Sequence, residues 1–240
     1  MDDELKNLLR EGAAEVGAPL EEEQAEKLLL YLEKIREGNE VMNLTSTSEP
    51  RELIFKHLVD SLSCVPLLPR TSAIHLIDVG SGAGFPGLVL KIYRPDIRLA
   101  LLDSSRKRCS FLEDLVAGLN LGKTELLRGR AEAYGQEAQH REQYEVAVSR
   151  AVASLRILAE YCLPFLKVGG LFICQKGPKG REEIREAREA LGVLGGEVAE
   201  VREIVLPGAG EKRLLISLRK SRPTPIKYPR RSGVPKKRPL

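Results

Sequence analysis

Tryptophan is absent from the 240-residue chain, and aromatic residues make up only 5% of it. This scarcity argues against a protein that binds single-stranded RNA mainly by stacking bases on aromatic rings. The sequence also has no apolar run long enough to cross a bilayer, and its acidic start does not follow the order of a signal peptide. We therefore expect a soluble, cytoplasmic protein with no membrane partner.

Cysteine is scarce as well. The four that occur form no CxxC pair, and they are Cys64, Cys109, Cys162 and Cys174. Zinc sites built on cysteine use such closely spaced pairs, whereas disulfide frameworks belong mainly to small secreted chains. We therefore expect buried free thiols and no bound metal.

Positive charge is concentrated at one end of the chain. The net charge is +4, yet residues 221–240 alone hold seven Lys or Arg, five prolines and no acidic residue. The rest of the chain is close to neutral, with 31 basic against 34 acidic residues. We predict that this tail is extended or disordered rather than helical, and that it binds RNA phosphates. The alternative is a solubilising tail with no partner.

Hydrophobic periodicity changes along the chain and predicts three parts. Residues 1–70 carry apolar residues at helical spacing, such as Leu28 and Leu32, and predict an N-terminal helical region. Residues 71–220 alternate short β-rich runs with helical ones, which predicts a parallel sheet covered by helices on both faces. Residues 221–240 are the basic, proline-rich tail.

The last two predicted strands, residues 198–205 and 213–218, are separated by the turn Pro207-Gly208-Ala209-Gly210. A connection this short cannot make a parallel crossover, so these strands should pair antiparallel at one edge of the sheet. Such a closing hairpin distinguishes a methyltransferase sheet from a dehydrogenase sheet.

The strongest local motif is LIDVGSGAGFPG at residues 76–87, where a predicted strand turns into a helix. Asp78 ends the strand, and Gly80 and Gly82 lie in the turn, where a ligand can approach backbone that has no Cβ. Part of the motif also fits the dinucleotide pattern, so the loop by itself does not choose between cofactors. A tight turn with no ligand is the alternative.

Acidic residues follow the next two strands. Asp103 lies where a carboxylate can accept hydrogen bonds from both hydroxyls of a ribose, although it also suits the start of the following helix. Glu132 follows the third strand, where a polar residue can reach an adenine edge. S-adenosylmethionine carries a sulfonium cation and no pyrophosphate, so carboxylates at Asp78 and Asp103 favour it over NAD.

Several segments together resemble a known family. DVGSGAGFPG, LLDSSRKRCSFL, RGRAEAY and VSRAVASL resemble the bacterial small-subunit (16S) ribosomal RNA guanine-N7 methyltransferases, the glucose-inhibited division protein B family. MNLTS, FKHLVDSL, QKGPKG and EKRLLI match as well, so the resemblance extends from about residue 20 to the C-terminus. It implies a class I, Rossmann-like α/β methyltransferase with an N-terminal helical extension, a seven-stranded sheet and an antiparallel C-terminal strand.

The resemblance also implies roles for individual residues. The residues expected to bind S-adenosylmethionine are Asp78, Gly80, Gly82, Phe85, Asp103, Ser104, Ser105, Ala131, Glu132 and Arg150. Arg150 and Asn43 are the expected catalytic residues, and the expected RNA contacts are His57, Arg130, Lys176 and Arg213. The implied partner is 16S ribosomal RNA or the 30S particle, and we expect a monomer.

The chemistry of guanine N7 fits the short list of catalytic residues. N7 already presents a lone pair on the major-groove edge, so methylation needs alignment of the reactants rather than a general base. The chain lacks the Asp/Asn-Pro-Pro-aromatic signature of exocyclic amine methylation and a cysteine placed for attack on a pyrimidine. We predict that Arg150 orients O6 or the phosphate of the guanine, and that removing residues 222–240 weakens RNA binding without affecting the methyl donor. The rival interpretations are an NAD-dependent oxidoreductase and a non-catalytic ribosome-binding module.

Overall fold

The computed structural model describes residues 3–208 and 210–240 of the chain. Residues 1 and 2 of the predicted N-terminal region, and residue 209 of the predicted turn, lie outside the described residues. The α-helices are α1 (Asp3–Glu15), α2 (Glu22–Met42), α3 (Pro50–Leu53), α4 (Asp60–Leu62), α5 (Gly87–Tyr93), α6 (Arg106–Gly118), α7 (Ala131–Tyr134), α8 (Leu155–Cys162), α9 (Gly180–Glu186), α10 (Arg188–Leu194) and α11 (Val234–Lys237). The strands are β1 (His75–Val79), β2 (Arg98–Asp103), β3 (Thr124–Arg128), β4 (Tyr144–Arg150), β5 (Leu166–Lys176), β6 (Gly196–Val205) and β7 (Lys212–Lys220).

The strands form one seven-stranded sheet in the order β3-β2-β1-β4-β5-β7-β6. Strands β1 to β5 pair in parallel, and β7 pairs antiparallel with both β5 and β6. The predicted parallel sheet with an antiparallel closing hairpin is therefore confirmed. From β1 the sheet grows to one side through β2 and β3, and then to the other side from β4 onward. The strand order therefore reverses between β1 and β4. Ligands of open α/β sheets bind at such a switch point, beyond the carboxyl ends of the strands.

The sheet is apolar on both faces because helices cover both. One face packs against the N-terminal helices, with Leu28 of α2 and Leu88 of α5 buried in the same cluster as Leu101. The other face packs against α8 and α10, where Leu158 and Leu194 are buried. These two apolar layers fix the orientation of the loops that follow the strands.

The N-terminal helices support the glycine loop directly. Helix α2 begins with a capping box formed by Glu21 and Gln24. About two turns after Gln24, the buried Tyr31 hydroxyl donates to the carbonyl of Ala83, 2.7 Å away. Burial raises the pKa of Tyr31 well above its usual value, so the hydroxyl keeps its proton and remains a donor. A helix outside the sheet therefore fixes the loop between β1 and α5.

The helical segment that begins at Pro50 is not a continuous α-helix. Residues Ile54–Val59 form a π-helical segment between α3 and α4. Insertions of this kind widen a helix by one residue per turn and are frequent at functional sites. Here the segment carries His57, whose neighbours are described below.

The prediction that residues 221–240 contain no helix was wrong. A short helix, α11, occupies Val234–Lys237 with Pro235 in its first turn, where a missing N–H costs nothing. Gly233 precedes it with φ +83°, a conformation that favours glycine. The tail is ordered because Tyr228 and Pro235 are buried against the body of the protein.

All four cysteines are free and buried, as predicted. Burial raises the pKa of the Cys174 thiol to about 12, which keeps it protonated at neutral pH. Within residues 3–208 and 210–240, no helix is both long enough and apolar enough to cross a membrane. The same residues contain no group of three or more potential metal ligands.

Candidate active site

A cavity of about 530 Å³ opens beyond the carboxyl ends of β1, β2 and β4. Its walls include residues of the glycine loop, the loops after β2, β3 and β4, the π-helical segment and the tail. Ten of the predicted site residues lie on these walls: Gly80, Gly82, Phe85, Asp103, Ser104, Ala131, Glu132, Arg150, His57 and Arg130. The switch point of the sheet thus brings together segments that are far apart in the sequence.

The glycine loop leaves room for a ligand where it turns. Gly80 has φ +78°, and a Cβ there would lie 2.5 Å from a methyl carbon of Val152. Gly82 has φ +59°, and only the carbonyl of Gly80 lies within 4 Å of the position of its missing Cβ. Both conformations favour glycine, and the open space at Gly82 faces a pocket that a side chain would partly fill.

Asp103 forms the part of the pocket wall next to the glycine loop. Its Oδ2 accepts a hydrogen bond from the Gly82 N–H at 3.0 Å, and its Oδ1 accepts one from the Ser105 N–H at 2.8 Å. The Arg108 guanidinium lies 3.7 Å from Oδ2. Backbone donors thus fix the carboxylate, and the remaining lone pairs of its two oxygens can accept the hydroxyls of a ribose.

Asp78 lies beneath the loop rather than on the cavity wall. Its Oδ2 accepts the Gly87 N–H at 2.8 Å and ties the start of α5 to the end of β1. Its Oδ1 is buried without a hydrogen-bond partner within the described chain. Burial is the main cause that raises the pKa of Asp78 to about 8. A cationic ligand in the cavity above would lower that pKa and favour the carboxylate.

We call the part of the cavity around Asp103, Ala131 and Glu132 the adenosine end. Glu132 is buried in the first turn of α7, and its Oε1 accepts a hydrogen bond of 2.8 Å from the backbone N–H of Gly233 in the tail. The ring of Tyr161 also lines this end. The surface of Ala131 and Tyr161 beside the fixed Glu132 carboxylate is suited to a flat heterocycle that carries an amino group.

We call the part around Phe85, His57 and Arg150 the transfer end. The imidazole of His57 stacks on the Phe85 ring at 4.9 Å, and the Arg150 guanidinium lies over the same ring at 4.9 Å. Arg150 donates to the carbonyl of Lys56 at 3.0 Å and to Asp60 Oδ2 at 3.1 Å. Three elements of the fold, β4, the π-helical segment and α4, therefore meet at one guanidinium.

The partner of His57 determines its protonation. Arg150 Nη2 lies 2.8 Å from His57 Nδ1, and a guanidinium can only donate. Nδ1 must therefore accept, which places the proton of the neutral ring on Nε2. Burial and the charges of Arg150, Lys56 and Arg213 lower the pKa of His57 to about 3, consistent with that neutral form. His57 thus offers the cavity an N–H donor.

Five predicted site residues are not on the cavity wall. Asn43 ends α2 with φ 48° and is exposed beside the wall residues Leu44 and Thr45. Ser105 caps α6, and Asp78 is buried as described. Lys176 donates to the carbonyl of Ala153 and pairs with Glu183, whereas Arg213 pairs with Glu211.

Sequence reasoning missed several residues that build this site. Asp60 is buried and pairs with Arg150, yet its Oδ1 accepts no hydrogen bond although Arg213 Nε is 3.5 Å away. Val152 covers Gly80, Tyr161 lines the adenosine end, and Lys236 reaches the wall from the tail. None of these was singled out in the sequence, although Asp60 is part of FKHLVDSL and Val152 is part of VSRAVASL, two segments that supported the family resemblance.

These features fit S-adenosylmethionine in the cavity. The donor needs a bend without side chains for its methionine part, an acid for its ribose and a wall for its adenine, and each is present. The buried, unpartnered Oδ1 of Asp78 beneath the loop suits the positive charge of a sulfonium and an ammonium group. A pyrophosphate, in contrast, would be repelled by the Asp103 carboxylate.

The sequence matches a known family over most of its length. A family model described as GidB, rRNA small subunit methyltransferase G, matches residues 24–214. Ribosomal RNA small subunit methyltransferase G of Alkaliphilus metalliredigens is 48% identical over 237 residues, which cover 99% of this chain and 99% of that protein. The protein of the same name from Symbiobacterium thermophilum is 48% identical over 240 residues, or 98% of each chain.

The fold is also that of known methyltransferases. A SAM-dependent methyltransferase from Aquifex aeolicus matches with a TM-score of 0.54 at 16% identity, covering 74% of this chain and 97% of that one. At this identity the likeness shows the fold alone. With the strand order described above, it confirms the predicted class I, Rossmann-like architecture with an N-terminal helical extension.

Proposed function

The chain belongs to the rRNA small subunit methyltransferase G family, and from this premise we propose that it methylates N7 of a guanine in 16S ribosomal RNA. S-adenosylmethionine is the proposed methyl donor, held in the cavity beyond β1 and β2. When bound, the donor supplies an electrophilic methyl group on a sulfonium cation. The proposed substrate is 16S RNA or the 30S particle, and the proposed state is a cytoplasmic monomer.

The observation that best supports N7 is the chemistry of the transfer end. His57 offers an N–H donor there, and Arg150 a cation. Phe85 offers an aromatic face, and among the described residues that line this end none is a carboxylate. A nucleophile that must lose a proton needs a base within hydrogen-bond reach, whereas guanine N7 attacks with a lone pair it already has.

Each group then has a defined task. Asp103 binds the ribose, Ala131 and Glu132 contact the adenine, and Gly80 and Gly82 give the methionine part its space. These contacts align the methyl group with the entering base, which is catalysis by proximity and orientation.

At the transfer end, we propose that the Nε2–H of His57 donates to O6 of the guanine, next to N7 on the same edge. Arg150 makes three hydrogen bonds to the protein and lies over the Phe85 ring. We therefore propose it as a positioning residue that holds His57 and Phe85, in place of the earlier role on the guanine itself.

Contacts to RNA phosphates are proposed for the basic residues around the mouth of the cavity. Arg130 is exposed on the cavity wall, and Asn43, which the resemblance implied as a catalytic residue, is exposed next to the wall residues Leu44 and Thr45. Lys176 and Arg213 are further away and partly paired with carboxylates, so their contribution to RNA binding should be smaller.

The test is methyl transfer to 30S particles and to naked 16S RNA from cells that lack the modification, with labelled S-adenosylmethionine. Reduction with borohydride and cleavage with aniline then map N7-methylguanine on the RNA. We expect one labelled guanine that aniline cleaves. Label at another atom would contradict the N7 assignment, and binding of NAD instead of S-adenosylmethionine in calorimetry would contradict the whole proposal.

A further inference from the structure

The backbone of the C-terminal tail, residues 221–240, is bound to the loop between α7 and β4. The side chain of Gln136 donates to the carbonyl of Pro229 at 2.8 Å, and Arg141 donates to the carbonyl of Tyr228 at 2.7 Å. Tyr228 itself is buried. A polar tail that served only solubility would not have its carbonyls paired with side chains of the body.

A buried ion pair anchors the middle of the tail. Arg230 Nε donates to Glu160 Oε1 at 2.9 Å, Arg230 Nη2 donates to Oε2 at 2.6 Å, and the backbone N–H of Arg230 also donates to Oε1. Glu160 belongs to α8 and is buried. Two parallel hydrogen bonds between a guanidinium and a carboxylate fix the relative orientation of the two groups, in addition to the attraction between their charges.

Beyond this anchor the tail reaches the adenosine end. The backbone N–H of Gly233 donates to Glu132 Oε1 at 2.8 Å, and three residues later Lys236 forms part of the cavity wall. Glu132 lies on α7, which has only four residues. The Gly233 N–H is the hydrogen-bond partner of the Glu132 side chain within the described chain, and it leaves Oε2 for a ligand.

We propose that the tail is a structural part of the methyl-donor site, in which Gly233 holds the Glu132 carboxylate in position for the adenine. Residues 233–240 close the adenosine end, and the Arg230–Glu160 pair holds them there. This inference rests on the proposed binding of S-adenosylmethionine. It replaces the expectation that the donor binds equally well without the tail.

The tail also presents positive charge next to the donor. Lys236, Lys237 and Arg238 are exposed while Pro235 between them and Gly233 is buried. A single segment therefore closes the donor pocket with its inner side and offers cations to RNA phosphates with its outer side.

The experiment compares the full chain with a protein that ends at Ser232, which keeps Tyr228 and the Arg230–Glu160 anchor. Isothermal calorimetry measures the Kd of S-adenosylhomocysteine and of 5′-methylthioadenosine, which share the adenosine but not the amino-acid part. We expect truncation to raise both Kd values by the same factor, roughly tenfold, or about 1.4 kcal/mol. Glu132→Gln, alone and in the truncated protein, tests whether the tail acts through Glu132. Once the carboxylate is gone, truncation should raise the Kd values little further.

Two further variants distinguish an effect of the tail on ligand binding from a general loss of stability. Glu160→Gln weakens the anchor and should raise both Kd values by a smaller factor. Glu200→Gln removes a carboxylate from the exposed pair with Arg202, 2.7 Å away, and should leave them unchanged. The proposal is wrong if the truncated protein has the same melting temperature as the full chain and both of its Kd values lie within twofold of those of the full chain. If truncation unfolds the protein, unchanged Kd values in Glu160→Gln and Glu132→Gln would overturn the proposal. A full chain that binds neither ligand would instead contradict the proposed function.

Discussion

The two ends of the cavity are built in different ways. At the adenosine end, backbone N–H groups hold the carboxylates, with Gly82 and Ser105 on Asp103 and Gly233 on Glu132. At the transfer end, side chains hold one another, and the centre is a buried guanidinium paired with a buried carboxylate. The first arrangement depends on where the loops turn, and the second depends on the identity of each partner.

This difference predicts how each end responds to change. A carboxylate held by backbone donors can be removed at the cost of unpaired N–H groups, while the loop keeps its course. A buried ion pair behaves otherwise, because removing one partner leaves an uncompensated charge in a medium that solvates it poorly. We therefore expect substitutions at the transfer end to affect stability first, and substitutions at the adenosine end to affect donor binding first.

The largest effect is expected for Asp60→Ala. This change leaves the Arg150 guanidinium without its carboxylate partner at 3.1 Å, and both side chains are mostly buried. The free energy of unfolding should fall by about 3–5 kcal/mol, measured by urea denaturation. Methyl transfer should fall as well, because His57 loses its fixed donor, whereas the Kd of S-adenosylhomocysteine should change less than threefold.

Two controls make this prediction specific. Glu200→Ala breaks the exposed pair with Arg202 and should cost under about 1 kcal/mol. Arg150→Met combined with Asp60→Ala removes both charges and should recover much of the stability lost in the single variant. Equal losses in the Asp60 and Glu200 variants would show that the buried pair has no special role.

The adenosine end could be predicted from the sequence because its parts are local. Residues 76–87 form one continuous motif, and Asp103 ends the next strand, which parallel pairing must place beside β1. The parallel strands and the places of Gly80, Gly82 and Asp103 at the strand ends followed from this pattern, and the antiparallel closing hairpin followed from the short turn between the last two strands. Asp78 was located correctly along the chain, but its burial beneath the loop depends on packing that periodicity does not show.

The transfer end and the tail could not be predicted in this way, because their contacts join distant residues. Asp60 and Arg150 are 90 positions apart, and Arg230 and Glu160 are 70 apart. The π-helical segment has no signal in apolar spacing, which differs little from that of an α-helix. Composition predicted an extended or disordered tail, because prolines and charged residues do not form a core. Composition does not show that Arg230 of the tail pairs with the buried Glu160 carboxylate of α8.

The second effect in size is expected for Asp103→Ala. Two backbone donors lose their acceptor, so the free energy of unfolding should fall by about 1–2 kcal/mol. The ribose loses its acceptor too, so the Kd of S-adenosylhomocysteine in calorimetry should rise roughly 100-fold, or about 2.7 kcal/mol. Asp96→Ala is the matched control, because Asp96 also accepts a backbone N–H, from Ala73, but lies just before the amino end of β2, whereas Asp103 lies at its carboxyl end. It should lower stability without changing the Kd, and a similar rise in both variants would refute the assignment of Asp103.

A third effect is expected in the dependence of stability on pH, and it grows as the pH falls. In the folded protein the pKa of His57 is lowered to about 3, below its ordinary value of 6.5. As the pH falls through 6.5, the unfolded chain takes up a proton that the folded protein does not. Arg150, Arg213 and Lys56 face the ring as cations, and Asp60 is the nearby anion. The contribution of His57 to stability is thus complete above pH 6.5 and is lost toward pH 3, at no more than about 1.4 kcal/mol per pH unit.

His57→Gln isolates this contribution, because glutamine can accept from Arg150 but does not take up a proton. Measured by urea denaturation at several pH values, the variant should be less stable than the parent chain at pH 8, and the difference should shrink as the pH falls to 4. The raised pKa of Asp78, about 8, gives the opposite trend, a loss of stability as the pH rises from 4 to 8, but it is common to both proteins and cancels in the difference. If the difference stayed constant from pH 8 to pH 4, His57 would titrate normally in the folded protein. The hydrogen bond between Arg150 and His57 would then have to break when the ring is protonated, and Arg150 would not hold His57 in one orientation.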